Sequence, residues 1–246
     1  MEWSDDAIVL SLRAHGESAG ILEALTRHHG RHLGLVHGGS SSRNRAILQA
    51  GNRVEVTWRA RLSEHLGIYA VELAHARASE IFERRAALFG LNALCAVAAA
   101  VLPEREPHEA AYKGADALLD AISRYDFSEW APLFVRWEIG LLNELGFGLD
   151  LAQCAVTGTA DDLIYVSPRT GRAVSRSAGE PYRGRLFPLP GFLLGRQAGE
   201  ADAANLSAGL RLTAHFLNQW LLLPHDKEMP EARQRLTDFA ARAAGG

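Results

Sequence analysis

Over the first seventy or so residues, apolar positions recur with a period of two. Ile8, Leu10 and Leu12 alternate with Val9, Ser11 and Arg13, and a turn is expected at Gly16 to Gly20. Ile21 to Arg27 forms a second run, and His29-Gly30 turns the chain into a third, Arg31 to His37. Gly38 to Ser42 reads as a loop. Beyond it Val54, Val56 and Trp58 alternate with Glu55, Thr57 and Arg59, and Leu66 to Leu73 closes the series. Five short runs separated by turn residues predict a small antiparallel barrel or sandwich. Asn44 to Ala50 is expected to add a short helix or turn.

At Ala74 to Glu80 the period changes to that of a helix. Leu91, Leu94, Cys95, Ala98, Val101 and Leu102 share one face, and Pro103 stops the run. Pro107 is expected to open a second helix carrying Ala111, Ala115, Leu118, Leu119 and Ile122. A third, with Ser128 as N-cap, carries Trp130, Leu133, Phe134, Trp137, Leu141 and Leu145 inward until Gly146. Those tryptophans repeat with other apolar residues at helical spacing, which marks them as core. Regularity fails between Leu149 and Pro190. There, Leu163 to Val166 and Ala173-Val174 predict a hairpin around Ser167 to Gly171. Helical spacing returns from Ala201 to Leu223, and a last helix is expected from Pro230 to Ala243. The class is therefore α+β: a β domain over 1–78, then a helical domain over 79–246 with an irregular insert at 149–190.

Charge sharpens this picture. The chain has 246 residues and a net charge of −3, yet Leu25 to Arg61 holds seven arginines against one carboxylate, Glu55, together with His28, His29, His32 and His37. Arginines on strands and adjoining loops make a surface that attracts phosphate, so nucleic acid is the first partner to consider. The bland alternative is that they are solvated faces of a small sheet. The arginine total is less informative than the clustering, because only Lys113 and Lys227 are lysines among 26 basic residues. The insert is basic too, through Arg169, Arg172, Arg176, Arg183 and Arg185. Cys95 and Cys154 are too few for a disulfide framework and fit a reducing cytoplasm. The acidic start, MEWSDDAIVL, does not read as a signal peptide, and the most apolar stretch, Leu91 to Leu102, is too short to span a bilayer.

Catalytic chemistry is hard to find. Neither Gly-x-x-x-x-Gly-Lys-Ser/Thr nor Gly-x-Gly-x-x-Gly occurs, which argues against an ATP-driven motor. His28, His29 and His32 lack a matching pair at metal-ligand spacing and read as a solvated or phosphate-facing turn. Ser40, Ser41 and Ser42 lack the strand-elbow-helix context of a nucleophile. Asp5-Asp6 and Asp161-Asp162 are adjacent pairs that nothing aligns for two-metal chemistry. No enzyme activity and no cofactor are expected.

Three stretches in order resemble the RecO family of bacterial DNA repair and recombination mediators. AIVLSLRAHGESAGILEALTRHHGRHLGLVHGGSSSR is similar to the family's opening, FVRWEIGLLNELGFGLDLAQC to its Arg-Phe-Glu run leading to a cysteine, and Leu223 to Leu236, with Pro230 and Arg233, to its C-terminal signature. The resemblance implies an OB-fold over the first 78 residues. It also implies binding of single- and double-stranded DNA, annealing of complementary strands, and work with RecR, with RecF and with the tail of single-stranded-DNA-binding protein during loading of the RecA recombinase. The location would be cytoplasmic, with the bacterial nucleoid. By position, Arg27, Arg31, Arg43, Arg45, Arg53, Arg59 and Arg61 are expected to contact phosphate. Arg169, Arg172 and Arg176 would form a second DNA surface, and Arg136 would pair with the acidic tail. Many relatives carry a four-cysteine zinc site in the insert. Here Cys154 has Thr157 at the second position and no cysteine near Ser175 and Ala178, so a degenerate site without metal is expected.

Two rivals stand beside this reading on the residues alone. One is a protein-only adaptor whose barrel binds a peptide or partner subunit, and the other is a metal-dependent nuclease built from scattered carboxylates and histidines.

Overall fold

The structure, a computed structural model, describes residues 1–39, 41–195 and 201–245, with the side chain of Arg43 also outside the described residues. The chain divides into two compact units, Met1–Tyr125 and Asp126–Gly246.

The first unit begins with five strands, β1 (Glu2–His15), β2 (Ala19–Thr26), β3 (Arg31–Val36), β4 (Arg53–Arg59) and β5 (Ile68–His75), with the short helix α1 (Ser42–Ile47) between β3 and β4. Their hydrogen-bonded order, β1-β2-β3-β5-β4, returns to β1 and closes a barrel. β1 makes the closure. Its first half, Glu2 to Ile8, pairs with Arg59 to Arg53, and its second half, Ala7 to His15, pairs with Thr26 to Ala19. A register shift between Val9 and Ser11 falls where the strand passes from one neighbour to the other, as bulges commonly do in barrels. Alternate residues point inward, so Ala7, Val9, Leu22, Ala24, Val54, Val56, Trp58 and Tyr69 pack together inside, with Leu48 closing over them from the end of α1.

β1 is longer than the expected run, which began at Ala7. The polar residues Ser4, Asp5 and Asp6 hide the alternation, because the inward position falls on Asp5. Its carboxylate is buried and accepts hydrogen bonds from the backbone N–H of His28 (2.7 Å) and from the Nδ1 atoms of His28 and His29 (both 3.0 Å). A buried carboxylate costs little when several donors satisfy it.

Three helices complete this unit: α2 (Arg77–Ile81), α3 (Arg85–Val101) and α4 (Glu109–Arg124). Arg77 is fully buried and binds Asp116 and Asp120 of α4 at 2.6 and 2.7 Å. Asn52, also buried, donates to the carbonyls of Ala46 and Ile47 and accepts from the N–H of Ala78, which ties α1 to the start of α2. The Cys95 thiol on α3 sits 3.7 Å from the Val9 carbonyl, and burial pushes its pKa up to about 12, so it is an inert packing group.

The second unit opens with α5 (Phe127–Glu144). Its N-cap is Asp126 rather than the expected Ser128. Glu129, three residues on, accepts from the Asp126 backbone N–H at 3.1 Å in a capping-box arrangement, and this places Ser128 inside the first turn. The insert is a small sheet, β6 (Leu163–Val166), β7 (Ala173–Ser175) and β8 (Phe187–Pro188), in the order β7-β6-β8. The hairpin falls where expected, and the third strand is additional. Gly171 in its turn has φ +66°, and a Cβ there would lie 2.6 Å from Trp220, so only glycine fits. A single turn, α6 (Arg176–Gly179), follows β7. α7 (Ala203–Phe216) continues as a wider π-helical turn over Leu217–Leu222, and α8 (Glu231–Gly245) packs against α7. No helix among the described residues is long and apolar enough to cross a membrane.

Candidate nucleic-acid interface

The seven arginines singled out in the sequence have different surroundings. Arg31, at the start of β3, is mostly buried. Its Nε donates to the Leu102 carbonyl at 2.8 Å and its Nη1 to Glu23 at 2.6 Å, so it holds the barrel to the end of α3. Arg53 reaches Asp6 at 3.3 Å and Asp116 at 3.6 Å, and these carboxylates, with burial opposing them, raise its pKa further. Arg27 pairs with Glu109 at 3.1 Å, and Arg59 pairs across strands with Glu2 at 2.9 Å, both at partly or fully exposed positions. Arg45 and Arg61 are exposed and have no carboxylate partner among the described residues. Ser40 and the Arg43 side chain lie outside the described residues.

The count of one carboxylate in the basic stretch therefore understates the negative charge around it. Glu2 and Asp6 come from β1, Glu23 from β2, and Glu109 and Asp116 from α4, all outside the Leu25 to Arg61 window. Exposed pairs such as Arg59 with Glu2 contribute only about 0–1 kcal/mol each, so a phosphate can compete for the guanidinium. Arg31, held by a mostly buried carboxylate and a carbonyl, is a framework residue.

Two open cationic positions emerge. Arg45 lines a small depression with Leu12, Ala14, Ala19, Gly20 and Gly39 at the β1–β2 hairpin. Arg13, exposed on β1 opposite Ile21, belongs to the same hairpin and was not singled out by sequence, because it stands outside the basic run. Arg61 sits in the β4–β5 loop, which Arg105 braces by donating to the carbonyls of Ser63 (2.5 Å) and His65 (2.9 Å).

Three histidines of the basic stretch, His28, His29 and His32, have framework contacts. His28 and His29 are anchored on Asp5. Burial raises the Asp5 pKa, and the hydrogen bonds from the His28 backbone and from both imidazoles outweigh it, leaving the carboxyl below its ordinary value. His32 points inward, and burial above all, with the positive charge of Arg105, brings its pKa down to about 4. The turn that carries the first two is drawn close to the chain before α4. Gly30 has φ +70°, and a Cβ there would lie 2.0 Å from the Glu106 carbonyl oxygen.

In the second unit, Arg169, Arg172 and Arg176 are exposed on the insert; Arg172 pairs with Asp150 at 3.2 Å and Arg176 with Asp162 at 3.1 Å. Arg136 is exposed on α5 and donates to the Phe192 carbonyl at 2.5 Å. Three of the four positions that would carry a zinc site come together: Cys154 Sγ accepts from the Ser175 N–H at 3.2 Å, lies 3.4 Å from Ser175 Oγ and also takes a hydrogen bond from Thr157. Burial raises the thiol's pKa, but hydrogen bonds from Ser175 and Thr157 outweigh it and bring it down to about 6. One thiol with two neutral hydroxyls does not fit structural zinc, which takes four thiolate or imidazole ligands.

Residues 1–77 match the family model described as Recombination protein O N terminal, and residues 83–229 match Recombination protein O C terminal. The chain is 55% identical over 245 residues to a DNA repair protein RecO of Rhodospirillum centenum, covering 99% of this chain and 96% of that protein. It is 50% identical to a DNA repair protein RecO of Phenylobacterium zucineum, with 99% of each chain covered. It is 46% identical to one of Agrobacterium fabrum, covering 99% of this chain and 94% of the other. With identity at this level along both units, the chain belongs to the RecO family of DNA repair proteins.

Proposed function

We propose that this protein is a non-enzymatic DNA-binding and strand-annealing recombination mediator, and that the closed barrel is an OB-fold binding DNA through its hairpin and β4–β5 loop. In this role it would act in the bacterial cytoplasm, at the nucleoid, with RecR and RecF to help load RecA on single strands covered by single-stranded-DNA-binding protein. The observation that carries the reading is the placement of exposed arginines without carboxylate partners among the described residues, Arg13 and Arg45 beside the β1–β2 hairpin and Arg61 in the β4–β5 loop. Those are the two loops with which OB-folds commonly grip oligonucleotides.

Mechanistically, guanidinium groups that reach two strands at once lower the phosphate repulsion that slows pairing. Arg27 and Arg59 join the open set by exchanging weak surface carboxylates for phosphate. Arg169, Arg172 and Arg176 supply a second cationic surface, and the helical unit holds protein partners, with Arg136 as the residue that pairs with an acidic tail. The test is annealing of complementary labelled oligonucleotides coated with single-stranded-DNA-binding protein. Pairing should accelerate with added protein and slow when Arg45 and Arg61 are reversed to Glu. Pairing at the rate seen without the protein would reject the reading and favour the adaptor.

A further inference from the structure

One cavity of the first unit has no part in the phosphate contacts described above. It measures about 370 Å³, toward the small end of the roughly 300–1,000 Å³ range of ligand pockets, and is lined chiefly by Trp3, His28, His29, His32, Trp58 and Arg105. Its rings are ordered. The His29 imidazole lies on the Trp3 indole with centroids 3.9 Å apart and planes 5° from parallel, and Trp58 stacks beyond Trp3 at 5.6 Å and 19°. His32 meets both indoles edge-on, at 5.1 and 4.9 Å. Trp58 belongs to the barrel core, whereas Trp3 is only partly buried and the His29 side chain remains 36% exposed, so the stack runs from the core to the surface.

The outer rings are fixed before any ligand arrives. Asp5, buried beneath them, takes a hydrogen bond from each Nδ1 and orients both imidazoles. Arg105 is held at the rim by two loop carbonyls. Rings locked in this way lose little freedom on binding. An apolar core plug would require neither two imidazoles anchored on one carboxylate nor a guanidinium at the rim.

We propose that this cavity takes one unpaired nucleobase, which stacks on the outward face of the His29 imidazole, backed by Trp3, while its polar edge faces His28 and Arg105. A flat heteroaromatic ring with hydrogen-bonding edges matches a stacked floor with a donor rim. The connected phosphates have a cation at hand, because Arg61 lies two residues before Ser63, which also lines the cavity. A paired base cannot enter, so the pocket favours single strands over duplex. The inference rests on the DNA-binding reading and adds a base-specific subsite to it.

The experiment compares the full chain binding a thymidine homopolymer with its binding to an abasic homopolymer of equal length, across salt concentrations. The base-bearing strand should bind about tenfold tighter or more, the order expected for one stacked base, with the same salt dependence for both strands. In Trp3→Leu and His29→Ala the ratio should fall to about one while the salt dependence persists. Should Trp3→Leu fail to fold, His29→Ala makes the same test from a half-exposed position. Equal binding of the two homopolymers by the unaltered chain would overturn the pocket and leave the DNA-binding reading standing, as would a ratio that survives both substitutions. If neither homopolymer binds, both readings fall. If an acidic, apolar peptide binds in a manner abolished by His29→Ala, while the homopolymer ratio is one, the cavity serves a protein partner and the proposal is wrong.

Discussion

Glu138 and Arg233, separated by 95 residues of chain, meet in a two-point ion pair, Nε to Oε1 at 2.6 Å and Nη2 to Oε2 at 2.8 Å, and neither side chain is exposed at all. The remaining valences are satisfied. Thr213 donates its hydroxyl to Glu138 at 2.5 Å, while Arg233 donates to Thr237 Oγ1 at 2.6 Å and to the Leu210 carbonyl at 2.9 Å. α5, α7 and α8 are thus joined at one polar point inside an apolar core. Two of the stretches that carried the family resemblance, FVRWEIG and the segment around Pro230 and Arg233, converge here, so in this chain they meet for structural reasons.

Breaking one side of that pair should be costly. Arg233→Ala or Glu138→Ala is expected to destabilise the second unit by about 3–5 kcal/mol, because the partner charge is left buried and alone. Replacing both together, Glu138→Leu with Arg233→Met, should cost less than the two single changes added. Urea denaturation followed through Trp130 and Trp137 measures this, and strict additivity would show that the two residues do not act as a pair.

Acid should weaken the barrel in two stages. His32 has a folded pKa of about 4 against an ordinary 6.5, so the unfolded chain takes up the proton first. Its contribution is unchanged above pH 6.5 and is lost progressively between 6.5 and about 4, amounting to roughly 3 kcal/mol in full. Asp5 is depressed below its ordinary value, so its contribution is present above about pH 4 and disappears as pH falls through the folded pKa. Stability measured from pH 7.5 to 4.5 should decline, and His32→Phe should flatten that decline. A parent protein equally stable at both ends would contradict the buried neutral imidazole.

The insert should hold together without metal. Purified protein is expected to contain no stoichiometric zinc by elemental analysis, and a chelator should leave the melting temperature unchanged. Changing Thr157, Ser175 and Ala178 together to Cys should create a zinc-binding insert that a chelator then destabilises, since two of these three positions already touch Cys154. One equivalent of tightly held zinc in the unaltered protein would be the contrary result.

Arg136 should contribute to binding of an acidic, apolar tail peptide. Calorimetry with wild type and Arg136→Ala is expected to show several-fold weaker binding by the variant, through loss of a charge-assisted hydrogen bond. Equal affinities would confine Arg136 to its contact with the Phe192 carbonyl.

The strands β2 to β5, the helices α3 to α5 and the hairpin in the insert were legible because their inward faces are apolar and their periods clean. What escaped was polar and inward-facing. Asp5 broke the alternation that would have extended β1 to Glu2, and Glu138 sits on the core face of α5 among tryptophans. The basic stretch was visible as a cluster, but its partners were not. Glu23 reaches Arg31 across the β2–β3 turn, eight residues away, and Glu109 reaches Arg27 from α4, 82 residues away, and neither pairing shows in the local pattern. Trp3 was passed over for the related reason that its neighbours in space, His29 in the β2–β3 turn and Trp58 on β4, are not its neighbours in the chain.

The most direct measurement is titration of fluorescent single-stranded DNA with the protein across salt concentrations, repeated with Arg45 and Arg61 both reversed to Glu. If about four phosphates are neutralised, log K against log salt should slope near −3, at roughly −0.7 per contact, and the double reversal should lower both the affinity and the slope. Salt-independent binding, or a double reversal with no effect, would contradict the assignment of the barrel loops as the DNA interface.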